Sequence, residues 1–147
     1  MRTTDDARVA CAVTGFAVGG LADGIVLHQI LQWHHLWSAR TPAATVDGLE
    51  ANTLADGLFH AACLALLVAG IAMLASRRVA PGSLIAFGLV GWGYFHVVDQ
   101  LVFHVALGAH HVRDDAASHA AYDWGFFAAG VAMIAVGLAA ARRRARV

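Results

Sequence analysis

The fold this sequence predicts is all-α: an integral-membrane four-helix bundle made of two helical hairpins in the same orientation. Three observations lead to it. The 147-residue chain is 59% hydrophobic and only 14% charged, against about one quarter charged residues in an ordinary soluble domain. Four apolar stretches reach the roughly 20 residues needed to cross a bilayer. Finally, the spacing Asp-x4-His-x5-His-His occurs twice, as Asp23, His28, His34, His35 and as Asp99, His104, His110, His111, at one offset of 76 residues (23 to 99). The length fits a single membrane domain over residues 1–147.

The first span is read at about 8–36. A signal peptide has an apolar stretch of only about 7–15 residues, and this segment is nearly twice as long. It also carries Asp23, His28, Gly15, Gly19 and Gly20, so it is expected to remain as a mature helix. The second span, about 52–76, contains Asp56 and His60 and ends at Arg77-Arg78. The third, about 82–109, repeats the first: Gly91 matches Gly15, Asp99 matches Asp23 and His104 matches His28. In the fourth, about 118–141, Asp123-Trp124-Gly125-Phe126 answers Asp56-Gly57-Leu58-Phe59, and Arg142, Arg143, Arg144 and Arg146 follow. Because two helices separate the copies, both run the same way, with a pseudo-two-fold axis along the membrane normal.

Arginine placement sets the expected orientation. Arg77, Arg78 and the C-terminal cluster lie on one side, with Arg2 and Arg8 before the first span. Only Arg40 and Arg113 lie in the other two loops, beside Asp47, Glu50, Asp114 and Asp115. Positive residues stay inside, so both termini are expected in the cytoplasm of a bacterial inner membrane. A net charge of zero gives no reason to expect a nucleic-acid partner; the expected partners are the lipid bilayer, a metal ion and, since four helices enclose little space, further copies of the chain. Cys11 and Cys63 fall at different depths inside spans and are read as packing residues rather than a disulfide framework.

At about 1.5 Å of rise per residue, Asp23, His28, His96, Asp99 and His104 fall toward the outer ends of spans one and three. Asp56, His60, His119 and Asp123 fall at the same side in spans two and four. All four helices therefore bring ionisable groups to one layer, while Ala65–Ala75 and Val131–Ala141 are apolar. Ionisable residues in a membrane interior mark a functional site by default. The metal candidates are His28, His60, His104, Asp23, Asp56, Asp99, His96 and Asp123. His34, His35, His110 and His111 are secondary candidates, placed by span length at the membrane surface. Interhelical hydrogen bonding competes with ligation for each buried group, and Asp56 and Asp123 could instead cap their helices. Trp33, Trp37 and Trp124 fit an interfacial aromatic belt.

Helical angles leave one point open. At about 100° per residue, Asp23 and His28, five apart, diverge by roughly 140° on an ideal α-helix. They can share an ion only if the helix is distorted, for instance at Gly24. Otherwise the aspartates face a neighbouring helix or orient its histidines.

The strings Asp23-Gly24-Ile25-Val26-Leu27-His28-Gln29-Ile30-Leu31-Gln32-Trp33-His34-His35, Asp56-Gly57-Leu58-Phe59-His60 and Leu107-Gly108-Ala109-His110-His111-Val112-Arg113 resemble a family of bacterial four-helix membrane proteins described only as a domain of unknown function. The resemblance covers nearly the whole chain. It implies a bacterial inner-membrane protein and favours the ligand candidates in those strings, but it carries no activity. His96 stands where members of that family more often have asparagine.

Imidazole and carboxylate without thiolate suit copper(II), zinc or non-haem iron, and an outward-facing site in an oxidising compartment favours copper. Haem, which paired histidines can also hold, fits less well beside so many carboxylates. The expected function is therefore binding of a transition metal, copper foremost, near the periplasmic face, in copper handling or delivery. Two alternatives remain: a copper-dependent membrane oxidase or monooxygenase, and a proton or ion pathway.

Overall fold

The computed structural model describes residues 2–144, so Arg146 of the basic C-terminal cluster lies outside the described residues. Helix α1 (Arg2–Asp23) continues directly as a π-helix, π1 (Gly24–Ile30). After a loop come α2 (Val46–Ala75), α3 (Pro81–Asp99) with its own continuation π2 (Gln100–Ala106), and α4 (His119–Arg144). No strand occurs among the described residues. Four helices, Asp5–Ile30, Val46–Ala75, Pro81–Ala106 and His119–Arg144, are long and apolar enough to cross a membrane.

Local chemistry sets the boundaries. Thr45 caps α2, its side chain accepting from the Gly48 N–H at 3.1 Å, which satisfies one of the free donors of the first turn. That cap starts the helix at Val46, ahead of the apolar residues from about 52 onward that hydropathy detects. Pro81 opens α3, where its fixed φ and missing N–H carry no penalty. In the turn between these helices, the Arg77 guanidinium reaches back to donate to the Met73 carbonyl of α2 and approaches Asp6 of α1 at 3.7 Å.

Helices α1 and α3 cross at the centre, with α2 packed on α1 and α4 on α3. The crossing is backbone against backbone. A Cβ on Gly15 would lie 1.9 Å from the Gly88 carbonyl oxygen, and one on Gly91 would lie 1.9 Å from that of Ala12. Gly15 and Gly91 occupy the same position in the two copies, as do Ala12 and Gly88. Lipid supplies no hydrophobic drive for helix association, so close contact between small residues supplies the dispersion energy instead. Helices α2 and α4 expose large apolar side chains such as Leu54, Leu58, Val68, Ile71, Val131 and Val136, as expected of surfaces that meet lipid.

The helical path ends at Ile30 and Ala106 rather than near 36 and 109, because each π segment closes in a reversal. Gln32 (φ 50°) and Gly108 (φ 53°) occupy the left-handed region at matching positions. The Trp33 N–H reaches the Leu27 carbonyl at 2.9 Å and the Ala109 N–H reaches that of Phe103 at 2.8 Å. These reversals send the following residues back toward the bundle axis. Buried Asn52 anchors the first loop, donating to Thr41 and Gly48 carbonyls at 2.6 and 2.9 Å and accepting from the Trp37 N–H at 3.2 Å.

Candidate metal centre

A π-helix closes each turn with an i→i+5 hydrogen bond, so residues five apart come together. That change brings Asp23 and His28 into contact: His28 Nε2 lies 3.3 Å from Asp23 Oδ2, and His104 Nε2 lies 2.9 Å from Asp99 Oδ2. Of the options left open by ideal helical angles, the distorted helix beginning at Gly24 is the one adopted, and π2 repeats it. Neither approach has hydrogen-bond alignment, and both Nε2 atoms are buried without a hydrogen-bond partner.

The opposite nitrogens are fully engaged. His28 Nδ1–H donates to Asp56 Oδ1 at 2.8 Å, and His104 Nδ1–H to Asp123 Oδ1 at 3.2 Å. Each of these aspartates also accepts from a second histidine, His35 on Asp56 and His111 on Asp123, both at 2.7 Å. A backbone N–H completes each set, Leu36 at 2.8 Å and Val112 at 2.9 Å. Asp56 sits ten residues into α2 and Asp123 four residues into α4, so neither caps its helix. Both instead fix the rings and loops above them.

Span length places His34 and His110 at the surface; the structure buries them, at 3% and 1% exposure. The left-handed reversals at Gln32 and Gly108 turn these residues inward. His34 Nδ1–H donates across the molecule to the Val112 carbonyl at 2.8 Å, and His110 Nδ1–H donates to that of Leu36 at 3.0 Å. Their Nε2 atoms are buried and unpartnered as well. Burial, reinforced by His110 and His28 nearby, pushes the His34 pKa down to about 2, and burial likewise lowers that of His110. With its proton on Nδ1, His34 presents a bare lone pair at Nε2.

Two compact donor sets result: Asp23, His28, His34 and Asp99, His104, His110. In each, three potential ligand atoms lie within 4.8 Å of one another. Both are buried groups of a kind that could hold a metal ion.

A family model described as "Predicted membrane protein (DUF2243)" matches residues 10–144. The chain belongs to this family. No curated protein and no solved structure matches it. As a member of the DUF2243 family it is a predicted membrane protein, and both donor sets fall within the matched region.

The remaining sequence candidates separate by environment. His60 is half-buried with an unpartnered Nε2, its ring 6.4 Å from that of His28. Gly24 makes room for it, since a Cβ there would lie 2.2 Å from His60 Nε2. The matching positions of the second half hold Gln100 and Phe127. His96 lies outside both sets, with both nitrogens occupied: Nδ1–H faces the Phe126 carbonyl at 3.3 Å and Nε2 accepts from the Trp92 indole at 3.2 Å. Its ring stacks on Phe126. His119 stacks on His111 and contacts the Asp114 carbonyl at 3.1 Å. Cys11 and Cys63 are buried and free.

Asn52, absent from the sequence candidates, holds the loop beside the centre; a lone amide four residues before Asp56 on the same helical face is its signal in the sequence. Above the centre opens a cleft of about 830 Å³ lined by Trp33, His34, His35, Ser38, His111 and Asp114. Of the six donor residues, His34 alone lines this cleft.

Proposed function

We propose that this protein is a membrane-embedded transition-metal-binding protein, with copper the foremost ion, that acts in copper handling or delivery from the periplasmic face. One observation carries the reading. Four buried imidazoles, on His28, His34, His104 and His110, have Nδ1 anchored and Nε2 unpartnered beside Asp23 and Asp99. A lone pair on Nε2 facing a carboxylate oxygen is repulsive unless a proton or a metal cation lies between them, and the donor set offers a metal both partners. Metal-binding histidines characteristically donate their other nitrogen to a carboxylate or carbonyl, as these four do. Nitrogen and oxygen donors without thiolate suit copper(II), zinc or iron, and copper(II) binds most tightly in the divalent series. The cleft bearing His35 and His111 lies beside His34 and would be where such an ion approaches, and the arginine bias supports an outward-facing orientation for that end.

A second reading, a copper-dependent oxidase, is favoured by the donor count alone. Three protein donors per set leave a coordination position open, as catalytic sites do.

The test is elemental analysis of detergent-purified protein loaded separately with copper, zinc or iron and then desalted. About two equivalents of copper are expected in wild type, with one lost in His28→Ala and one in His104→Ala. Retention by wild type no greater than that of these variants would remove the metal reading and leave these groups as bundle glue or a proton path.

A further inference from the structure

The two donor sets are not separate in space. Ring centroids run His28 to His34 at 4.4 Å, His34 to His110 at 4.4 Å and His110 to His104 at 4.5 Å. The central pair is stacked within 2° of parallel. Each set also depends on the other half for its geometry. His34 is held by the Val112 carbonyl and His110 by that of Leu36, while Leu36 and Val112 are themselves tied to Asp56 and Asp123. Neither set can form alone with these anchors.

Charge supports the same conclusion. Asp23, Asp56, Asp99 and Asp123 are all buried, with exposures of 6%, 1%, 3% and 6%. The arginines of the neighbouring loops are committed elsewhere. Arg40 donates to the Gly108 and Leu107 carbonyls, and Arg113 pairs with Asp115 and lies over Trp33 and Tyr122. Ionised carboxylates taken out of water cost several kcal/mol each unless compensated. With the contacting histidines neutral, two divalent ions balance the four carboxylates, whereas a single ion balances them only if two of those histidines also carry protons.

We infer that the two sets form one dinuclear centre, whose two ions couple across the stacked His34–His110 pair. The inference rests on the metal-binding reading above and adds that the ions are neighbours. With metal–nitrogen bonds of about 2 Å on parallel rings, their separation is on the order of 4–8 Å. Two ions at that range act as a pair, so the centre can exchange two electrons or grip one small ligand from both sides.

The experiment loads intact detergent-purified protein with copper(II) sulfate, measures bound copper by mass spectrometry, and records electron paramagnetic resonance spectra of the same samples. The expected result is two coppers per chain, with either a half-field signal or a spin count well below the copper content. His104→Ala and, independently, Asp99→Asn should bind one copper that is fully visible as an isolated ion. Two coppers per chain with a full spin count and no half-field signal overturn the dinuclear centre while leaving metal binding intact, as does saturation at one copper. Retention of no copper overturns both readings.

Discussion

Asp56 and Asp123 each gather two imidazoles and a backbone N–H onto one carboxylate. A carboxylate accepting from Nδ1 fixes the tautomer and raises the basicity of the far nitrogen, and losing such a partner typically costs 10–100-fold in metal affinity. Asp56→Asn keeps the shape and an acceptor oxygen but removes the charge and turns an amide NH2 toward the rings. Chelator-competition titrations should therefore show copper affinity down by about 10–100-fold at the first donor set, with Asp123→Asn doing the same at the second. Unchanged affinity in both would show that these aspartates do no more than hold the loops. Gln32 poses a different question, because its φ of 50° is one that a side-chain-bearing residue adopts at a cost of roughly 1–2 kcal/mol. The second copy has glycine there, and the Gln32 side chain is exposed. Gln32→Gly should raise unfolding stability by about 1 kcal/mol, read as a higher midpoint in detergent denaturation, without altering metal content.

At the scale of elements, the crossing of α1 and α3 leaves no room for a side chain at Gly15 or Gly91. The atom facing a new Cβ at Gly15 is the Gly88 backbone oxygen, at 1.9 Å, and backbone cannot swing aside as a long side chain can. Gly15→Val should cost well over about 3 kcal/mol or abolish folding. Gly57→Ala, with nothing within 4 Å of the new Cβ, should be neutral or stabilise α2 by about 0.5–1 kcal/mol. Comparing their unfolding midpoints separates a packing role from a general effect of removing glycine, and equal midpoints would contradict the backbone crossing. The helices and their polar end could be read directly from hydropathy and from where Asp and His fall. The π segments could not. A π-helix and an α-helix use the same residues, and here only the five-residue spacing of Asp23 to His28 hinted at a longer turn. The inward course of His34 and His110 was hidden for a related reason. It depends on left-handed backbone at Gln32 and Gly108, and glutamine does not advertise that conformation as glycine does.

For the molecule as a whole, the apolar body and the polar end place opposite demands on stability. The glycine-lined crossing of α1 and α3 holds the bundle together, while the far end concentrates four buried carboxylates and five imidazoles with unpartnered nitrogens. An arrangement preorganised for a ligand is strained without it, so the centre should stabilise the fold only when filled. A ligand that binds the folded state alone adds RT ln(1 + [L]/Kd), or about 2.7 kcal/mol at one hundred times Kd. Thermal melts of wild type should therefore rise with copper and fall in chelator. The double variant Asp23→Asn/Asp99→Asn removes two buried charges while nearly preserving volume. In chelator it should melt at or above wild type, because uncompensated carboxylates no longer have to be desolvated; with copper added it should melt below wild type, having lost the donors that make binding worthwhile. Wild type more stable than the double variant by the same margin in both conditions would mean that the aspartates serve the fold through hydrogen bonds alone, and that filling the centre contributes nothing to holding the helices together.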